Sequence, residues 1–118
     1  MKEVFASRQG FLYDLLRYHL RWVDQRGAPE DNSLPFHVHP MLALLSCEAL
    51  SGDYDKALPA AAAVELIYDF VQVHGEVQAG MSDSPDRPSV WWVWGPAQAI
   101  NAGDGLHAMA RLTVMRLS

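Results

Sequence analysis

Cysteine is almost absent from this 118-residue chain. Cys47 stands alone, which excludes an internal disulfide, and its apolar surroundings from Met41 to Leu50 predict a buried, unreactive thiol. Basic residues are scarce as well. There are 9 lysines and arginines against 14 aspartates and glutamates, a net charge of −5, and that balance disfavours nucleic acid or an anionic membrane as partner. No apolar run approaches the roughly 18 residues that a membrane-spanning helix needs. The opening Met1-Lys2-Glu3-Val4 has no apolar segment of the kind that starts a secretion signal, so a cytoplasmic location is expected. The chain also lacks a Gly-x-Ser-x-Gly elbow, a phosphate-cradling glycine loop, an internal repeat and any low-complexity tract. His37 and His39 are spaced as a metal-binding pair would be, but no second paired set of ligands accompanies them, so they read as ordinary residues of a connection.

What remains is helical patterning, and it predicts an all-α bundle formed as a single domain over residues 1–118. Half of the residues are hydrophobic, which is enough for one packed core. A first helix is expected from about Val4 to Gln25, with Leu12, Leu15, Leu16, His19, Leu20 and Val23 at three- and four-residue steps on one face. Residues 28–35 form a polar loop. A second helix begins near Pro40 and is apolar almost all round through Leu50, so it is expected to be buried. Asp53 or Asp55 caps a third helix running to about Gln78, in which Ala60 to Ala63 allow close helix contact. On that helix Glu65, Asp69 and Glu76 form a stripe, read as solvated or capping the core because its spacing spreads the carboxylates over about three turns. Residues 80–87 form a second loop. The Trp91, Trp92 and Trp94 cluster is expected to pack on the bundle as a short helix or strand, and a fourth helix runs from about Ala97 to Leu117. Gly103 and Gly105 weaken that helix and suggest the close packing of another backbone.

Several stretches also carry a family likeness. Cys47-Glu48-Ala49-Leu50-Ser51-Gly52-Asp53, the run from Ala57 to Ile67, Arg87-Pro88-Ser89, Trp94-Gly95 and the run from Ala99 to Asp104 together resemble the N-terminal part of trans-isoprenyl (polyprenyl) diphosphate synthases. The likeness extends in order from Pro40 to Leu117. It implies the helical isoprenoid synthase fold around a prenyl-chain cavity, and a chemistry in which magnesium ions held by two aspartate-rich motifs draw diphosphate from an allylic substrate.

The positions that would carry that chemistry are changed. The family's Gly-Lys-Arg-x-Arg-Pro falls on Pro35 to Pro40, where Phe36, His37 and His39 replace the lysine and two arginines that clamp isopentenyl diphosphate. A family histidine falls on Tyr68. The first aspartate-rich motif falls on Gly75, Glu76 and Ala79, so only Glu76 keeps a carboxylate, and a following arginine pair falls on Ser84 and Pro85, leaving only Arg87 nearby. The resemblance therefore implies a scaffold without confident catalytic residues and without a bound magnesium ion. It is expected to be inactive alone and to serve as a subunit or as a module that binds a partner or an apolar ligand. Phe70 and Val71 resemble cavity-lining positions, and with His74 and Asp104 they are the candidate ligand-binding residues. The expected partners are a second copy or a catalytic prenyl synthase subunit, with a prenyl or other apolar ligand as the small-molecule counterpart. The alternative is one piece of a split prenyltransferase or terpene synthase whose metal motif comes from another chain.

Overall fold

The structure, a computed structural model, describes residues 1–30, 37–84 and 87–117. Its helices are α1 (Lys2–Phe5), α2 (Phe11–His19), α3 (Val38–Ser51), α4 (Leu58–Ala79), α5 (Val90–Trp94) and α6 (Pro96–Val114). Short 3-10 turns, Asp55–Ala57 and Met115–Leu117, precede α4 and follow α6. The architecture is all-α, as the patterning predicts. A two-residue antiparallel ladder, β1 (Asp83–Ser84) with β2 (Arg87–Pro88), sits inside the second predicted loop. Among the described residues no helix is long and apolar enough to cross a membrane.

The long helices form where local chemistry dictates. In α4, Pro59 lies in the first turn, where its missing N–H is harmless, and Ala60 to Ala63 are the best helix formers. Gly80, at φ 66°, takes the left-handed conformation that closes the helix. The Asp53 carboxylate accepts the backbone N–H of Asp55, at the start of the 3-10 turn, while α4 itself has Ala57 at its N-cap instead of the aspartate expected there. The principal helix pair is α4 against α6, and their seam is lined by small residues: Ala63, Ala99, Ala102 and Ala110 are all buried. Leu66 and Val73 from α4, Leu106 and Met109 from α6, Leu15 and Leu16 from α2, and Phe5 and Val90 complete the core.

Four expectations change. The first helix is broken: the chain leaves α1 after Phe5, turns at Gly10 (φ 121°) and ends α2 at His19, with Arg21 at φ 60°. Residues beyond it form a turn in which Val23 bridges Pro29 and the Asp24 carboxylate accepts the backbone N–H groups of Arg26 and Ala28. The second helix is present as α3, but none of its residues is buried, and Cys47 is only half-buried. The tryptophans divide. Trp94 meets Tyr18 edge-on at 4.8 Å and Trp91 donates its indole N–H to the Met81 carbonyl, whereas Trp92 is 61% exposed. Finally, Glu65, Asp69 and Glu76 are all buried, so the carboxylate stripe faces the protein.

Candidate functional site

The candidate site is the surface of α4, and the two sides of that helix are chemically different. Positions 65, 66, 69, 73 and 76 repeat at helical spacing and point inward. Leu66 and Val73 fill the core, while the carboxylates between them reach for histidines on neighbouring elements. Asp69 Oδ1 lies 3.2 Å from His19 Nε2, at the last residue of α2, and its Oδ2 is buried without a hydrogen-bond partner. Glu65 contacts Nδ1 of His37, the residue that precedes α3. Each pair fastens a separate helix to α4.

The outward side carries Val64, Ile67, Tyr68, Val71, Gln78 and Ala79, all exposed, with Gly75 half-buried. Two of the three positions of the replaced aspartate motif, Gly75 and Ala79, belong to this side, and neither side chain offers an oxygen. Glu76 is 9% exposed and belongs to the inner side. Gly75, Glu76 and Ala79 therefore bring no set of ligands together, and among the described residues no three His, Cys, Asp or Glu side chains converge as a metal site would require.

The other candidate residues separate in the same way. Val71 is 57% exposed. Phe70 turns into the seam with α6, its ring 4.7 Å from that of His74 and 5.2 Å from that of His107. His74 and Asp104, thirty positions apart in sequence, are brought together. His74 Nε2 is 3.0 Å from the Ile100 carbonyl oxygen and 3.5 Å from Asp104 Oδ1. The imidazole rests against Gly103, where a Cβ built on the backbone would collide with the ring, so the close approach at that glycine is made by a side chain and not by the backbone expected there. Gly105 likewise faces Leu12 and Leu16 of α2. Asp104 itself is exposed.

The positions of the diphosphate clamp are occupied by mutually engaged side chains. His39 faces the ring of Tyr68 at 4.8 Å, and His37 is held by Glu65. Phe36 and Pro85 lie outside the described residues. Arg87 is committed elsewhere: its guanidinium stacks 3.9 Å from the centre of the Tyr18 ring, meets Glu30 at 2.5 Å and donates to the Val23 carbonyl. The Tyr18 hydroxyl in turn donates to the Pro88 carbonyl. This cluster, and the His19–Asp69 pair, escaped the sequence reading. One signal for the pair was available, because Asp69 shares the three-and-four spacing of Leu66 and Val73 and so had to face inward with them.

The chain is 36% identical over 96 residues to the (2E,6E)-farnesyl diphosphate synthase of Mycobacterium tuberculosis, covering 81% of this chain and 27% of that protein. It is 36% identical over 110 residues to a geranylgeranyl diphosphate synthase of the same organism, covering 93% of this chain and 29% of the relative. The crystal structure of a polyprenyl synthetase from Streptomyces coelicolor superposes with a TM-score of 0.89 at 34% identity, over 98% of this chain and 34% of that one. The chain belongs to the trans-isoprenyl diphosphate synthase family. It corresponds to the N-terminal part of that family and spans only 27 to 34% of the length of these relatives. No protein-family model matches it.

Proposed function

We propose that this chain is a prenyl-synthase-like helical module that performs no metal-dependent ionisation with its own residues and uses the outward side of α4 to take an apolar partner or ligand. One observation carries the reading: where magnesium ligands would stand, the exposed side of α4 presents Val71, Gly75 and Ala79. A magnesium ion that bridges a diphosphate is held by one or two accessible carboxylates together with phosphate oxygens and water. Glu76 is the only carboxylate in the motif, and it is buried. This donor set does not fit a magnesium site. The clamp positions point the same way, since two imidazoles and a phenol engaged with α4 lack the fixed positive forks that hold a diphosphate. An apolar chain or an apolar protein surface needs neither feature.

A second reading, one piece of a split prenyltransferase completed by another chain, is favoured by the close backbone agreement with the polyprenyl synthetase, which the substitutions have not altered.

Calorimetric titration with farnesyl diphosphate, in magnesium and then in EDTA, separates the two when farnesol is titrated in parallel. The proposed function predicts heats indifferent to EDTA and equal for the alcohol and the diphosphate, or no heat at all if the face is reserved for protein. Magnesium-dependent binding of the diphosphate would overturn it in favour of the second reading.

A further inference from the structure

The proposed function leaves one cleft unused. Among the described residues its walls come from α2, from the turn that follows it and from β2, with none from α3 or α4. It holds about 250 Å³, and four of its lining side chains are charged: Asp24, Arg26, Glu30 and Arg87. The Arg87 side chain is only 13% exposed, against 30% for Glu30. Three groups hold its guanidinium. The Tyr18 ring lies 3.9 Å from it, the Val23 carbonyl accepts one N–H at 3.2 Å, and the Glu30 carboxylate accepts another. Tyr18 is itself fixed, by its hydroxyl bond to the Pro88 carbonyl and by the edge of Trp94. The fork of Arg87 is thus oriented by groups that stay in place. Glu30 is the exception. Its backbone N–H is tied to the Trp22 carbonyl at 3.0 Å, but its carboxylate reaches Arg87 through rotatable bonds from a partly exposed position. Rotation of that side chain alone empties the place beside Arg87 and leaves the backbone of the turn intact.

We propose that this cleft is a binding site for a small monocarboxylate, and that Glu30 is its internal competitor, holding the place that the carboxylate of the ligand takes. Geometry and charge together select this class of ligand. The place beside Arg87 already accommodates a carboxylate, and a planar guanidinium fork matches that group. With Glu30 turned away, Arg26, Arg87 and Asp24 leave one net positive charge, which a monoanion neutralises. Asp24 stays where it is, because its Oδ1 accepts the backbone N–H groups of Arg26 and Ala28. A doubly charged anion would face that carboxylate with a surplus of negative charge. An empty place is the costly state, since it leaves a largely buried guanidinium without its counter-charge.

Acetate supplies the atoms that Glu30→Ala removes, and it is the probe. Thermal unfolding of the 118-residue chain is followed by circular dichroism in acetate and in chloride at equal ionic strength. Glu30→Ala is expected to melt below the unmodified chain and to recover in acetate but not in chloride. Glu30→Ala with Arg87→Met is expected to gain nothing from acetate. The Arg87 Nε–H resonance in nitrogen-15 spectra reads the affinity. It is expected to move saturably with acetate and not with acetamide, at a dissociation constant in the millimolar range for Glu30→Ala and at least about tenfold weaker for the unmodified chain. If Glu30→Ala does not fold, the same resonance in the unmodified chain carries the test, because acetate at high concentration must then displace Glu30. Recovery in chloride equal to that in acetate overturns the proposal. So does a response that survives Arg87→Met, an affinity that is the same with and without Glu30, or a resonance that acetate leaves unmoved.

Discussion

Toward the core, α4 presents Glu65, Asp69 and Glu76 among Leu66 and Val73; toward solvent it presents Val64, Ile67, Tyr68 and Val71. An ordinary surface helix has the opposite arrangement, with charges outward and an apolar stripe inward. The two sides reach stability by different routes. Each inward carboxylate loses several kcal/mol of hydration and is tolerable only with a partner, and for Glu65 and Asp69 an imidazole is in place. The outward side chains forgo roughly 25 cal/mol for every Å² left in water, and among the described residues no segment covers them. The inner side is thus completed by neighbouring elements, while the outer side stays exposed.

The sharpest way to break this comparison is to remove the same kind of atoms from each side. Leu66→Ala, at a fully buried position, is expected to lower the unfolding free energy by about 3 kcal/mol in urea titrations. Val71→Ala, measured at a concentration low enough to keep chains apart, is expected to change it by less than about 0.5 kcal/mol. Equal losses would show that the outer side is already covered within one chain. Next in size, His19→Ala takes away the partner of Asp69 Oδ1 when Oδ2 has none, and should cost about 2 kcal/mol. Adding Asp69→Leu should return part of that loss, because an apolar group suits a site that no longer holds an imidazole. If the double variant is as unstable as the sum of the two single ones, the pair is not coupled.

The smallest effect concerns a carboxylate held by backbone amides instead of by histidine. The N–H groups of Ala28 and Arg26 keep the Asp24 carboxyl below its ordinary range. A folded value below the unfolded one means that the contribution is complete above the ordinary aspartate range, about 3.9. It disappears as the pH falls through the folded value. Unfolding midpoints should therefore decline less steeply toward acid in Asp24→Asn than in the unmodified chain, with the difference between the two greatest near neutral pH and closing as the pH falls through the folded value.

Much of the bundle was legible in the sequence. The alanine run and Gly80 delimit α4, Gly95-Pro96 opens α6, and the glycine at 103 announced a close contact that His74 provides. The family likeness was legible too, because it is carried by helix-forming and small residues that the fold still needs. The end of α2 at His19 was not, since the three-and-four spacing from Leu12 to Val23 runs on through the turn at Arg21. The exposure of α3 was hidden for a different reason: an apolar pattern records which residues favour cover, not whether the chain supplies it. The roles of Glu65 and Asp69 were obscured because a carboxylate on an inward register looks solvated until its histidine is found, and His37 and His19 lie 28 and 50 positions away.

The contact between His74 and Gly103 has a historical consequence. A methyl group at 103 has no room while an imidazole occupies 74, but a small residue at 74 would open that space. Changes at these two positions are therefore coupled: a side chain at 103 requires the imidazole to move aside, a smaller residue at 74 removes that requirement, and the two steps cost least when residue 74 shrinks first.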